Sequence, residues 1–466
     1  MQYLVKYHSY AGRALARCFT RTATKYLLAL ITFFSVASQA ALEIQLTRGV
    51  EGSLPIAIVP FAGQNPNSQS PNDIANVISN DLKNSGRFRV VPGQAGPSTA
   101  EQVDFQHWQQ QGVDNIVVGN VTPTGSGNYR VQFQLLSAYP NKANDQLGSS
   151  APVWQKTIIL NQNFSGKDNQ LRALAHHISD LIYENLTGER GVFSTRIAYV
   201  VAQQSPKAPS VYTLEVSDID GYGPQPLLKS NEPIMSPKWS PDGRRLTYVS
   251  FEKDNPIVYV QDVATGRRQV VSNSSGLNSA PSWSPDGNRL ALVLTKTGAP
   301  KIFVMDLNTN TSMQVTDGAA IDTEPVWSAD GRSILFTSNR GGNPQVYRVD
   351  LSSKAVQRVT FQGNYNASPS LSPNGQVLAV LHGGENGFNV GVQDMSSGRF
   401  NVVTRSGGTQ APSIAPNGRM IVYAMGATGR GVLGMVSSDG RVTLVLPSRE
   451  GDVREPAWGP FANKPV

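Results

Sequence analysis

Pro237-Lys238-Trp239-Ser240-Pro241-Asp242-Gly243 returns 44 residues later as Pro281-Ser282-Trp283-Ser284-Pro285-Asp286-Gly287, and after another 44 as Pro325-Val326-Trp327-Ser328-Ala329-Asp330-Gly331. Three weaker copies start at Pro369-Ser370-Leu371, Pro412-Ser413-Ile414 and Pro456-Ala457-Trp458, so the prolines step by 44, 44, 44, 43 and 44 residues. A register held over six copies marks a repeat architecture. In the first five copies a turn follows, with Asp or Asn and then Gly at its end, as in Ser372-Pro373-Asn374-Gly375. Proline presets φ, Asp or Asn tolerates the next position, and glycine takes the positive φ that closes a hairpin. Alternating strands come next (245–249, 333–337), then a third strand ending on Asp262, Asp306 or Asp350, then a short fourth such as 268–271. Four strands in about 44 residues make one propeller blade. The first strand of each blade lines the channel as an edge strand, where a proline is tolerated.

The last copy is incomplete. Pro456-Ala457-Trp458 has nothing after it to pair with, while three unmatched strands (196–201, 211–216 and 225–228) precede the first copy. Joining the C-terminal inner strand to those three closes the ring and removes open edges that invite aggregation. The prediction is a mainly β chain with a C-terminal six-bladed β-propeller over 193–463.

Residues 41–188 read as a smaller N-terminal α/β domain. Pro55-Ile56-Ala57-Ile58-Val59-Pro60-Phe61 is a buried strand, 73–82 has helical periodicity, and 88–91, 115–121 and 129–135 are strands. Segment 157–160 pairs with the last of these, 105–111 is a helix, and 169–186 is an amphipathic helix before the linker Gly188-Glu189-Arg190-Gly191. Alternating α and β predicts a mixed sheet carrying helices.

The chain has 466 residues, 39% apolar and 16% charged, with a formal charge of +7. That length predicts several domains, and that apolar content excludes a disordered chain. Much of the charge sits in residues 1–40, which hold Lys6, Arg13, Arg17, Arg21 and Lys25 and no acid; the remainder has 35 basic against 33 acidic residues. The balance therefore gives no sign of a nucleic-acid surface. A basic segment, an apolar stretch over 26–36 and Ser38-Gln39-Ala40 form the layout of a secretory signal peptide over 1–40, cleaved after Ala40. No later segment has 18 apolar residues in a row, so an exported mature chain without a membrane span is expected. Cys18, the single cysteine, lies in the leader, so no disulfide framework, Fe–S cluster or thiolate zinc site forms within the chain.

No catalytic constellation stands out. There is no G-x-S-x-G nucleophile elbow, Walker motif or dinucleotide fingerprint. Beyond the leader the histidines are His107, His176, His177 and His382; the adjacent pair His176-His177 does not share a helix face. Asp242, Asp286 and Asp330 sit in hairpin turns, where a structural role outweighs a calcium site, and the repeated tryptophans read as blade core. The expectation is therefore no catalytic residue, no cofactor and no metal ligand. A six-bladed propeller enzyme of lactonase or sugar dehydrogenase type is the competing class, and a substrate-recruiting propeller for a protease a third.

Two elements read as binding surfaces. The loops leading into each inner strand share length but vary in sequence, among them Gly276-Leu277-Asn278-Ser279-Ala280 and Ala320-Ile321-Asp322-Thr323-Glu324, opposite the Pro-Asp-Gly turns. A constant scaffold with variable loops is the pattern of a binding face. The mature N-terminus, Ala41-Leu42-Glu43-Ile44-Gln45-Leu46-Thr47-Arg48, alternates apolar and polar residues. It suits either addition to a partner's sheet edge or docking in its own domain.

The Ser-Pro-Asp-Gly blades, Thr195-Arg196-Ile197-Ala198-Tyr199-Val200, the strand from Pro55 to Phe61 and Thr323-Glu324-Pro325 together resemble the TolB family of the Tol-Pal envelope system of Gram-negative bacteria, over essentially the whole mature chain. The resemblance implies a non-enzymatic periplasmic adaptor. Its propeller face binds the lipoprotein Pal, and its N-terminal segment binds the C-terminal domain of TolA. The system supports outer-membrane integrity and constriction at cell division, and in some members serves colicin import and phage entry into the cell. Carried over by position, the Pal-binding set is Leu277, Asn278, Ala280, Asp322, Thr323 and Glu324, with Leu277 standing where the family often has histidine. The TolA-binding set is Ala41 to Arg48, in which Glu43 and Arg48 replace other polar residues.

Overall fold

Strand-forming repeats and turn residues at fixed spacing leave 49% of the described residues in strands and 12% in helices. The computed structural model describes residues 43–46, 52–64, 73–94, 96–140, 151–204, 209–405, 407–427, 430–447 and 451–462; the leader 1–40 lies outside them. After a short arm strand β1 (Glu43–Leu46), the α/β part runs β2 (Leu54–Ile58), α1 (Ile74–Asn84), β3 (Phe88–Pro92), α2 (Phe105–Gln110), β4 (Asn115–Gly125), β5 (Asn128–Ser137), α3 (Val153–Thr157), β6 (Ile158–Lys167) and α4 (Leu171–Thr187). The sheet order is β3-β2-β4-β5-β6, with β2 parallel to β3 and β4 and the other pairs antiparallel. It is the mixed sheet that the alternation predicts. One difference is local: of the segment expected to form a strand at 157–160, Thr157 ends the short α3 and the rest starts a longer β6.

Helix α1 begins where Asp73 accepts a hydrogen bond from the Asn76 amide at 3.1 Å. Ile74, Val77, Ile78 and Leu82 then fall on one face and are buried. Helix α4 ends at Gly188 in the left-handed conformation, φ 74°. The cluster buried by these helices does not stop at the domain boundary. It runs from Ile78, Leu82, Ile178 and Ile182 through Ile197, Met420, Leu444 and Trp458 of the propeller. The linker read from the sequence is pinned. Glu189 pairs with Arg419, the Arg190 guanidinium lies 4.3 Å from the Phe461 ring, and Asp180 accepts from the Phe193 and Ser194 amides at 2.7 and 3.1 Å.

The propeller has six four-stranded blades among the described residues, and the ring closes as read from the sequence. Blade 1 joins the C-terminal Asp452–Trp458 to Arg196–Gln203, Val211–Asp218 and Gln225–Ser230, with Trp458 opposite Ile197. Blades 2 to 6 start at Ile234–Trp239, Asn278–Trp283, Asp322–Trp327, Asn366–Leu371 and Thr409–Ile414. The turns after the inner strands are held by their own side chains. Asp242, Asp286 and Asp330 each accept from the serine two residues back at 2.5 to 2.6 Å and from a backbone amide two residues on. The tryptophans join blades as well as filling them. Trp239, Trp283 and Trp327 donate through Nε1 to the carbonyls of Ala457, Lys238 and Ser282 on the preceding blade, at 3.2, 3.3 and 3.1 Å. The guanidinium groups of Arg196, Arg245 and Arg289 lie over the same rings at 5.1, 4.6 and 4.7 Å.

Candidate functional site

Each inner strand contains the same irregularity. The residue before the repeated proline has positive φ in all six blades: Ser236 53°, Ala280 45°, Glu324 54°, Ser368 49°, Ala411 47° and Glu455 53°. At each the ladder register breaks, for example between Ser279 and Ser282 and between Thr323 and Val326. These are β-bulges, placed where proline has no ladder hydrogen bond to lose and keeps its predecessor out of the right-handed α region. Non-glycine residues seldom adopt positive φ, so six in register form a built ring around the channel.

Two members of that ring clamp neighbouring blades. Glu324 Oε1 accepts from Ser368 Oγ at 2.7 Å, and its Oε2 accepts from the Ser368 amide and Thr337 Oγ1, both at 2.8 Å. Three blades away, Glu455 Oε2 accepts from the Ser236 amide at 3.4 Å. Between them Lys238 lines the channel. Its crowded setting lowers its pKa, against the pull of the Glu455 and Glu324 carboxylates. Towards the Pro-Asp-Gly turns the channel widens into a cavity of about 480 Å³, walled by Lys238, Ser282, Val326, Ser370, Ser413 and Ala457 with flanking indoles.

The lead-in loops of blades 3 and 4 lie at the other end. The structure brings the six residues of the expected Pal set onto these two adjacent blades, but at different depths. Leu277 and Glu324 are half-buried, and Ala280 and Thr323 are each 7% exposed. Asn278 and Asp322 are fully buried and spend their polar atoms internally. Asn278 accepts from Ser272 Oγ at 2.6 Å and the Ser274 amide at 3.0 Å, and donates to the Ser274 carbonyl at 2.6 Å. Asp322 accepts from Ser338 Oγ at 2.6 Å, from Arg340 Nη2 at 3.0 and 3.1 Å, and from Lys301 Nζ at 3.3 Å. These two residues therefore shape the loops rather than present side chains. Each loop is also tied to the loop after its blade's second strand: the Leu277 amide donates to Thr295 Oγ1 at 2.9 Å, and the Ile321 amide to Asn339 Oδ1 at 2.8 Å. Sequence reading missed Lys301, Thr295, Asn339 and Arg340, which carry no repeat signature.

The N-terminal arm does not dock on the sheet of its own α/β domain. Strand β1 pairs antiparallel with Val442–Val445, the outer strand of blade 6, in the register Glu43 to Val445 and Leu46 to Val442. It makes that blade's sheet five-stranded. Of the expected TolA set, Ala41, Leu42, Thr47 and Arg48 lie outside the described residues. Among the described residues no helix is long and apolar enough to cross a membrane.

Comparison with known proteins agrees with this geometry. The TolB beta propeller domain matches residues 183–462, and the TolB amino-terminal domain matches residues 42–143. The chain is 58% identical over 442 residues to the Tol-Pal system protein TolB of Coxiella burnetii, spanning 94% of this chain and 98% of that protein. It is 54% identical over 443 residues to the protein of that name from Pseudomonas syringae pv. tomato, spanning 94% and 98%. The crystal structure of TolB from Acinetobacter baumannii superposes with a TM-score of 0.78 at 37% identity, covering 90% of this chain and all of that one. The chain belongs to the TolB family, the non-enzymatic propeller proteins of the Tol-Pal system.

Proposed function

We propose that the chain is a periplasmic adaptor that binds Pal through the lead-in face of its propeller and TolA through its mature N-terminus. It thereby supports outer-membrane integrity and constriction during division. On this reading residues 1–40 are a signal peptide, 41–188 an α/β domain with the TolA-binding segment, and 193–463 the propeller. Leu277, Ala280, Thr323 and Glu324 meet Pal directly, and Asn278 and Asp322 hold the loops that carry them. Ala41, Leu42, Glu43, Ile44, Gln45, Leu46, Thr47 and Arg48 form the segment that TolA takes, and colicins or phage proteins compete for the same surfaces. The observation that carries the reading is the arm strand on the edge of blade 6, in a chain of the Tol-Pal family. A strand held by edge pairing is available to a second sheet edge once it leaves the first.

Arm release is linked to the propeller face only if Pal has different affinities for the docked and undocked states. The test is the affinity of the TolA C-terminal domain for the chain with and without saturating Pal, alongside a chain lacking residues 41–48. The reading expects an affinity that Pal changes and that the deletion abolishes. Equal affinities refute the linkage, and TolA binding that survives the deletion refutes the assignment of the arm.

A further inference from the structure

The seam between α4 and blade 1 holds a polar cluster that the adaptor reading does not use. His176 on α4 is 2% exposed, and its Nδ1 lies 2.8 Å from Asp81 Oδ2 on α1. Once the ring is neutral, with the Nδ1 proton given to Asp81, Nε2 is an acceptor. Nε2 is buried and has no hydrogen-bond partner. It is aimed at the end of the third strand of blade 1 and the loop after it, where Asp218 Oδ2 is 3.9 Å away. One ligand atom from each of His176, Asp218 and Asp220 lies within 4.8 Å of the others. The two aspartates are 34% and 29% exposed, so the cluster opens to solvent on one side.

We propose that His176 Nε2, Asp218 and Asp220 form a binding site for a zinc-class divalent cation that ties the α/β domain to the first propeller blade. A metal-binding imidazole characteristically gives its other N–H to a carboxylate, which fixes the tautomer and aims the free nitrogen; Asp81 stands in that place. Zinc takes nitrogen and carboxylate oxygen at about 2.0–2.2 Å, so two tetrahedral ligands sit about 3.4 Å apart. The 3.9 Å between Nε2 and Asp218 Oδ2 closes to that value with about half an ångström of side-chain movement. An imidazole among the ligands favours zinc over calcium or magnesium, and three protein ligands leave the solvent side for water.

Arg172 is the cluster's own cation. Its guanidinium bonds Asp218 at 3.3 Å, pairs with Asp220 and stacks 4.1 Å from the Tyr222 ring. It therefore competes with the metal for both carboxylates. Burial lowers the His176 pKa, but the carboxylates of Asp81, Asp220 and Asp218 outweigh it and raise it to about 9. Metal binding at neutral pH thus releases a proton from the ring.

The proposal stands apart from the adaptor reading and is tested without Pal or TolA. The full chain is titrated with zinc chloride by calorimetry, and cobalt(II) is added separately as a probe of coordination. The expected result is one zinc per chain, a raised melting temperature and cobalt visible bands of tetrahedral intensity. His176→Gln and, independently, Asp220→Asn weaken zinc at least about tenfold and remove the bands, and Asp81→Asn weakens it about 10–100-fold. Arg172→Gln, folded by circular dichroism, binds zinc more tightly because the competing guanidinium is gone. His107→Gln, an exposed histidine elsewhere, leaves binding unchanged. Absence of one-to-one binding at high micromolar zinc overturns the proposal, as does binding that survives both His176→Gln and Asp220→Asn.

Discussion

Replacing Asp322 with alanine removes a carboxylate shared by two cations. Asp322 is fully buried and Lys301 is 2% exposed, whereas Arg340 is 25% exposed and can return to water. The cost therefore falls mainly on Lys301, which keeps the Ala320 carbonyl as its acceptor. Removing one partner of a buried ion pair costs about 3–5 kcal/mol, because the other charge stays desolvated. We expect Asp322→Ala to lose stability in that range. Adding Lys301→Met should recover a large part of it, since the stranded charge goes with the lysine. The measurement is guanidinium-induced unfolding by tryptophan fluorescence and circular dichroism, arranged as a double-mutant cycle. Pal affinity is measured in parallel under conditions where each variant is folded. A loss below about 1 kcal/mol, with no recovery in the double variant, refutes the reasoning that Asp322 is a buried support.

Trp283→Phe removes the indole donor to the Lys238 carbonyl and part of the face under Arg245. A loss of about 1–3 kcal/mol in chemical unfolding is expected, and an unchanged midpoint contradicts the inter-blade role. Burial raises the Asp180 carboxyl to about 6, partly offset by hydrogen bonds from Ser194 and Phe193. In the unfolded chain an aspartate titrates near 3.9. The folded state thus binds more protons between about pH 4 and 6, so this group's contribution to stability falls as pH rises through that window. Unfolding midpoints measured from pH 4 to 7 should show that slope, and Asp180→Asn should flatten it.

The ring was legible because its signal is local and repeated. A proline and an Asp-Gly or Asn-Gly turn every 43 or 44 residues fix the blade length, and an unpaired last copy fixes the closure. The bulges before those prolines were not legible, since a left-handed alanine, serine or glutamate looks like any other residue in a strand. The depth of Asn278 and Asp322 was hidden for another reason. Polar residues in a lead-in loop read as exposed, yet these two are the first residues of their strands and turn inward to satisfy loop amides and a buried lysine. The arm's seat on blade 6 rests on backbone pairing, which leaves no side-chain signature. Asp81, His176 and Asp218 meet only because α1, α4 and blade 1 pack together, and no spacing along the chain announces that.

The most direct test of the adaptor account is calorimetric binding of the chain to the soluble domain of its own Pal, with Ala280→Arg and Thr323→Arg as the discriminating variants. Both sites lie on adjacent blades at 7% exposure, so an arginine at either has to reach outwards over the lead-in face. The account predicts tight one-to-one binding that each substitution abolishes while circular dichroism remains unchanged. Undiminished binding by both folded variants would place the Pal site elsewhere, and no binding at high micromolar concentration would contradict the adaptor function itself.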